Sequence, residues 1–385
     1  MTRYYFDHNA TTPVCDEALQ AMVTALHDVF ANPSSVHQDG QLARQQLEAA
    51  RADICRLVGC QPKELVLLSG GTEADNLALF GALRASTAPR RHLITTRIEH
   101  PAVLNACAQL EREGVEVTYL SPTPDGYIEP SQIRRALQPH TVLISVMHAN
   151  NETGVLQPIE EIGALARQAG VLFHSDGVQA VGKLPLQLAA LPVDLYSFSG
   201  HKLYAPKGVG ALYVRQGVTL QPIQFGGRHE RSLRAGTENV PGAVALAAAA
   251  RVCAAHQATE HARLASLRER LEEGIRARVP DIEIHGAAAR RLPNTTNIAF
   301  QGVDGEAMVI ALDLRGFAVS TGAACSSGAV QPSHVLTAMG LSAERARSSL
   351  RFSLGRGNTP AHVDALIDAV ADVAAHLRRL SPTYV

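Results

Sequence analysis

The sequence predicts an α/β fold, with a mostly parallel sheet in a large domain followed by a smaller α+β domain. Three observations carry this expectation. Between about residue 16 and residue 250, helical periodicities alternate with short apolar runs at 115–120, 142–146, 171–173 and 210–214. Such alternation requires crossover connections, and crossovers make neighbouring strands parallel. The stretch from Gly242 to about Arg278, uncharged up to Ala250, reads as one long helix whose start is buried at a domain junction. Beyond it the pattern changes to strand-like runs at 282–285 and 295–300, a helix over about 305–314, a strand at 348–354 and a last helix over about 360–380. At 385 residues the chain exceeds what one hydrophobic core organises. The large domain is placed at residues 14–255, and residues 1–13 join 256–385 in the small one.

Composition narrows the classes of function. Apolar residues make up 46% of the chain, enough for two cores, and the net charge of −1 offers no electrostatic case for nucleic acid or an anionic membrane. The chain starts without an apolar leader segment, and its longest apolar stretch, 243–250, is too short to span a bilayer. A soluble, cytoplasmic protein is expected. Six cysteines, at 15, 55, 60, 107, 253 and 325, form no C-x-x-C pair, which argues against a zinc site or a disulfide framework. No metal site is expected.

The chemistry is read first from lysine, of which the chain has four: Lys63, Lys183, Lys202 and Lys207. Arginine stays protonated and cannot attack a carbonyl, so covalent carbonyl chemistry falls on one of these. Lys202 follows an apolar run ending at Ser199, and ligands of open α/β sheets gather at strand C-terminal ends. Lys63 and Lys183 read as ordinary solvated surface lysines.

Two further segments bear on Lys202. Residues 65–79 read as strand, small-residue turn and helix N-terminus around Ser69-Gly70-Gly71-Thr72, a phosphate cradle made of free N–H groups and the helix dipole. It is neither a Walker A loop nor a dinucleotide fingerprint. The run 171–173 delivers Asp176 to a strand end. A lysine, a carboxylate and a phosphate cradle are the three groups that a pyridoxal phosphate (PLP) site needs, the carboxylate keeping the ring nitrogen protonated.

The chain resembles the cysteine desulfurases of the class V aminotransferase-like PLP enzymes. The resemblance rests on Asp7-His8-Asn9-Ala10-Thr11-Thr12-Pro13, Asn32-Pro33-Ser34-Ser35-Val36-His37, Ser69 to Asn76, Glu99-His100 and Asn150-Asn151-Glu152-Thr153-Gly154. It continues through Asp176-Gly177-Val178-Gln179, Ser199-Gly200-His201-Lys202, Arg234-Ala235-Gly236-Thr237-Glu238-Asn239, Ala324-Cys325-Ser326-Ser327-Gly328 and Arg351-Phe352-Ser353-Leu354-Gly355, all in order. It departs at His8, where the family often has asparagine, and at Arg228-His229-Glu230, where glutamine more often precedes the glutamate. It implies the fold type I, aspartate aminotransferase-like architecture of PLP-dependent transferases.

The resemblance also implies roles. Lys202 would carry the cofactor, with His100 stacking on its ring and serving acid/base steps and Gln179 bonding its phenolic oxygen. Gly71, Thr72, Ser199 and His201 would hold the phosphate, joined by Thr237 from a neighbouring subunit, which makes the protein an obligate homodimer. Asn151 would lie beside cofactor and substrate, and Asn32 and Arg351 would grip the substrate carboxylate, a task suited to a guanidinium fork. Cys325, in a Gly/Ser/Ala segment with no large apolar anchor, is expected to be accessible and to act as the sulfur nucleophile. The implied reaction takes L-cysteine to L-alanine and leaves the sulfur as a persulfide on Cys325. A sulfur-acceptor or iron–sulfur scaffold protein would receive it, nitrogenase maturation being one use. Three alternatives stay open: a selenocysteine lyase, a small-amino-acid aminotransferase sharing the PLP set but not the Cys325 step, and a non-catalytic sulfur-acceptor scaffold.

Overall fold

A computed structural model describes residues 3–322 and 331–380. Cys325 therefore lies outside the described residues. The chain runs β1 (Tyr4–Tyr5), α1 (Asp16–Asp28), α2 (Gln38–Val58), β2 (Leu65–Leu68), α3 (Gly71–Ala85), β3 (His92–Thr96), α4 (Pro101–Arg112), β4 (Glu116–Leu120), α5 (Pro130–Ala136), β5 (Thr141–Ser145), α6 (Ile159–Ala169) and β6 (Leu172–Asp176). It continues through β7 (Leu195–Ser199), β8 (Gly210–Val214), α7 (Val240–Arg278), β9 (Ile282–Ile284), β10 (Thr295–Phe300), α8 (Gly305–Asp313), β11 (Phe317–Ala318), α9 (His334–Ala338), α10 (Ala343–Arg347), β12 (Ser349–Ser353) and α11 (Pro360–Leu380).

Seven strands form the main sheet in the order β2-β8-β7-β6-β5-β3-β4. Strands β4, β3, β5, β6 and β7 pair in parallel, and β8 runs antiparallel to both β7 and β2. Burial on both faces explains the short continuous apolar runs in the sequence. In β2, Leu65 and Leu67 face a core shared with α2, α6 and the start of α7, whereas Val66 and Leu68 face another shared with α3 and α4. This is the period-2 alternation of a strand with helices on each side.

A second apolar core is built on the three-stranded antiparallel sheet β12-β10-β9. Phe300, Phe352 and Leu350 of that sheet pack against α8, α11 and the far half of α7. Helix α7 has 39 residues, about 58 Å at the helical rise. Its Ala245–Ala250 stretch lies in the first core, and Leu264, Leu267, Leu271 and Ile275 lie in the second. One helix thus contributes to both cores.

Candidate active site

The C-terminal ends of β6 and β7 carry Asp176 and, one turn past Ser199, Lys202. Gly177 is required beside the acid, because a Cβ there would stand 1.9 Å from the Tyr196 ring. The Asp176 carboxylate is buried, and its Oδ1 accepts the Val178 N–H at 2.9 Å. Among the described residues no hydrogen bond reaches Oδ2. Burial pushes this carboxyl above its ordinary range, while His100 and Lys202 pull it back.

Among the described residues Lys202 has no acidic partner in contact. Its Nζ donates to the backbone carbonyls of Asn9 at 2.6 Å and Ala10 at 2.7 Å. Burial, with the charge of Arg351 adding to it, lowers this ammonium to about 8. The N-terminal segment is laced along the lysine turn: Thr12 N–H donates to His201 O at 2.9 Å, Tyr204 N–H to Thr12 Oγ1 at 2.8 Å, and Cys15 N–H to Tyr204 O at 3.0 Å. Those bonds hold Tyr204 at a φ of 67°, a left-handed conformation that a non-glycine residue keeps only when its surroundings impose it.

Asn9 is the hub of the site, and no role was read for it in the sequence. Its carbonyl also accepts Gln179 Nε2 at 3.0 Å, and its Nδ2 donates to Asn151 O at 3.1 Å and Thr295 Oγ1 at 2.9 Å. Its Oδ1 accepts from Asn294 Nδ2 at 3.2 Å and Lys183 Nζ at 3.4 Å. Arg351 joins through Asn151, whose carbonyl takes its NH1 at 3.0 Å, while NH2 meets Asp7 Oδ1 at 2.7 Å. Arg351 is buried and, among the described residues, its Nε has no partner, so it is not an edge-strand surface charge of β12. The surface reading of Lys183 also fails: it is half-buried near Lys202, and the loss of water around it lowers its amine to about 7. The only trace of these contacts in the sequence was the Asp7–Thr12 motif.

His100 caps α4, with Nδ1 accepting the Ala102 N–H at 3.1 Å. That bond places the proton of the neutral ring on Nε2. Burial lowers this imidazole, Asp176 opposes the shift, and the charges of Lys202 and His334 reinforce it. Beneath Asp176, His174 is locked neutral between Ser145 Oγ and Ser197 Oγ, both at 2.9 Å, and is lowered to about 3. Two further buried acids, Asp75 and Glu99, are raised by burial, Glu99 to about 8, which leaves Asp176 few anionic neighbours.

The start of α3 has the geometry to receive an anion. Its first internal bond runs from Ala74 N–H to Gly70 O, so the N–H groups of Gly71, Thr72 and Glu73 point out of the helix unpaired. A Cβ on Gly71 would stand 2.6 Å from Val178 and displace the Asp176 turn. Buried Ser199 lies against this turn, and His201 Nδ1 meets Thr11 Oγ1 at 3.1 Å, its ring lowered to about 4 by burial and the adjoining lysines. These groups fit PLP by their chemistry: an amine of lowered basicity, a buried acid with a free oxygen, and a cradle of amides.

Two predicted residues are not brought in. Asn32 is exposed after α1, its Oδ1 accepting Ser34 N–H at 2.8 Å, and Thr237 is exposed before α7. Among the described residues neither bonds to Lys202, Asp176 or Arg351. The described residues preceding Cys325 run beside the site: Arg351 N–H donates to Ser320 O at 2.7 Å and Ser320 N–H to Arg351 O at 3.3 Å.

A seven-stranded α/β sheet with a lysine and an aspartate beyond adjacent strand ends is the architecture of fold type I PLP-dependent transferases. The model of the aminotransferase class-V family matches residues 4–366. A cysteine desulfurase of Trichormus azollae is 46% identical over 382 residues, covering 99% of this chain and 95% of its own. The cysteine desulfurase IscS of Anaeromyxobacter dehalogenans is 46% identical over 383 residues, with 99% and 94% covered. Among solved structures, a NifS-like protein superposes with a TM-score of 0.91 at 34% identity, covering 97% of this chain and all of its own. A structure described as SspA in complex with cysteine gives a TM-score of 0.81 at 37% identity, with 92% and 99% covered. The chain belongs to the aminotransferase class-V family, in its cysteine desulfurase group.

Proposed function

We propose that the protein is a PLP-dependent cysteine desulfurase that converts L-cysteine to L-alanine and passes the sulfur to Cys325 as a persulfide. The observation that carries this is the convergence of the free-amine-prone Lys202, the buried Asp176 and the partly unpaired Arg351 around one Asn9-centred network. When bound, PLP would supply a protonated ring that takes up negative charge from the substrate Cα. The amides of Gly71 and Thr72, with Ser199 and His201, hold the phosphate. Asp176 would keep a proton on the ring nitrogen, and Gln179 would donate to the phenolic oxygen. Arg351, next to Asn151, orients the substrate carboxylate. Lys202, as the free amine, removes the Cα proton, and His100 Nε2 moves protons near the substrate thiol. The Cys325 thiolate bonds to the substrate sulfur as the C–S bond breaks. L-Cysteine and an enzyme thiol therefore become L-alanine and an enzyme persulfide, with atoms in balance.

The protein works as a homodimer. In support, Leu19, Val23, Leu26 and Phe30 are exposed at helical spacing along and just past α1, an apolar stripe left uncovered by the described residues. Asn32 and Thr237, both exposed, would complete the site of the partner subunit. The persulfide supplies iron–sulfur cluster assembly through an acceptor or scaffold protein, nitrogenase maturation being one outlet. We place it in the cytoplasm; among the described residues no helix is long and apolar enough to cross a membrane.

The test is to incubate the enzyme with L-cysteine, trap persulfides by alkylation and map the peptide. Label at Cys325, lost with alanine release in Cys325→Ala, is expected. Normal alanine production by Cys325→Ala would favour a lyase that does not use this thiol.

A further inference from the structure

Helix α2 ends in a turn that brings two thiols together. Gly59 takes a left-handed φ of 68°, and the N–H groups of Gly59 and Cys60 both return to Cys55 O, at 2.8 and 3.2 Å. The bond from Cys60 is that of a Schellman stop, in which the side chain opening the bonded ring packs on the one closing it. Those two side chains are Cys55 and Cys60, and their sulfurs lie within hydrogen-bond reach of each other. The turn is pinned from outside. Leu188 N–H donates to Val58 O and Ala189 N–H to Gly59 O, both at 2.9 Å, and a Cβ on Gly59 would stand 2.3 Å from Gln187 Oε1.

Cys55 is buried and Cys60 only partly so, and solvent reaches the pair through Cys60. The ionisable groups around it are Arg51 on α2, Glu64 before β2, Tyr213 on β8 and Arg231 before α7. The hydrogen bond from Cys60 lowers the Cys55 thiol, burial opposes this and Arg51 adds to it, while the same bond raises Cys60. The two thiols therefore titrate as a pair that gives up its first proton easily and holds its second. The remaining proton can sit on either sulfur, so the accessible one can carry the charge. Among the described residues no cluster of three or more histidine, cysteine or acidic side chains could hold a metal ion, and the pair takes no part in the chemistry at Lys202.

We propose that Cys55 and Cys60 form a redox-sensitive modification site that closes to an intramolecular disulfide by exchange with small disulfides. The Cys60 thiolate attacks one sulfur of the small disulfide, which releases one small thiolate and leaves a mixed disulfide on Cys60. Cys55 then attacks the Cys60 sulfur and expels the second small thiolate, and its proton passes to the released thiolates. Two protein thiols are oxidised to one disulfide, and one small disulfide is reduced to two thiols. Because the pinned turn already holds both sulfurs, the second step is intramolecular and leaves little mixed disulfide behind.

The test uses the full-length holoenzyme in glutathione redox buffers, without L-cysteine, followed by acid quenching, alkylation and tryptic mapping. Arg56 lies between the two cysteines, so the disulfide would join the separate tryptic peptides 52–56 and 57–63. The joined pair, two hydrogens lighter than its parts, is expected to form roughly tenfold or more faster than glutathione accumulates on Cys107 or Cys253. In the reduced protein, phenylarsine oxide, which binds paired thiols, is expected to protect both peptides from alkylation. Cys55→Ser is expected to leave glutathione trapped on Cys60, and Cys60→Ser to leave Cys55 unmodified. Cys55→Ala and Cys60→Ala replace these variants should the serine proteins fail to fold. Glutathione on Cys60 of the wild type with no joined peptide, or both thiols unmodified under oxidising buffer, overturns the proposal.

Discussion

Asn9 places its backbone carbonyl 2.6 Å from the Nζ of Lys202, so a residue near the start of the chain positions the amine at the end of β7. The same asparagine reaches β10 through Thr295 and β12 through Ser353 Oγ, which accepts its N–H at 3.0 Å. The site is therefore assembled only when both cores and the N-terminal segment are in place.

The charge on Asp176 raises the proton affinity of Lys202, opposing burial and Arg351. Asp176→Asn keeps an acceptor for Val178 N–H but removes the charge. The Lys202 acylation midpoint, followed against pH in the protein stripped of cofactor, should then fall below about 8. Turnover should fall by roughly 10²-fold or more, because the ring nitrogen loses its anionic partner. Wild-type turnover would show that another group supplies the charge.

Glu99 makes stability depend on pH. Thr96 Oγ1 donates to its Oε1 at 2.8 Å and Met147 N–H at 3.0 Å, while among the described residues the buried Oε2 has no partner. Burial raises the carboxyl from 4.5 to about 8, so between these values the native state holds a proton that the unfolded chain has released. Stability falls as pH rises through that window, by at most roughly 1.4 kcal/mol per pH unit. Glu99→Gln should flatten this slope in urea titrations from pH 5 to 8. An unchanged slope would assign it to other groups.

Arg51 and Glu230 form a buried pair, with guanidinium and carboxylate in contact at 2.6 and 2.8 Å and Glu230 Oε2 also accepting Leu67 N–H at 2.8 Å. The pair anchors Glu230, Arg231 and Ser232, which take φ values of 43°, 56° and 66° in succession. Arg51→Met strands the carboxylate and should cost about 3–5 kcal/mol in denaturant unfolding. A loss under 1 kcal/mol would mean that the left-handed turn holds without the pair.

If Thr237 completes the partner's phosphate site, co-refolding Lys202→Ala with Thr237→Ala chains should give dimers with one doubly impaired site and one intact site. Activity should exceed that of either parent. Were Thr237 to act within its own subunit, every mixed site would carry one lesion and no intact site would appear.

Runs of apolar residues and their spacing determined the main sheet, the long helix α7 and the α+β character of the second half, because burial on two faces and helical periodicity are written locally. β8, β10 and α11 fall where their patterns place them. Lysine scarcity and strand-end position likewise singled out Lys202 and Asp176, and the Gly-Gly turn marked the cradle. Tertiary structure alone decided what surrounds them. Lys183 looks like a surface lysine in sequence, and Asn9 like one polar residue among several. Only the closure of the N-terminal segment over the Lys202 turn, against β10 and β12, makes the first a half-buried amine of lowered basicity and the second the hub. Such contacts join residues far apart in the chain, and the charge an amine carries depends on the water excluded around it, which no local pattern of residues encodes.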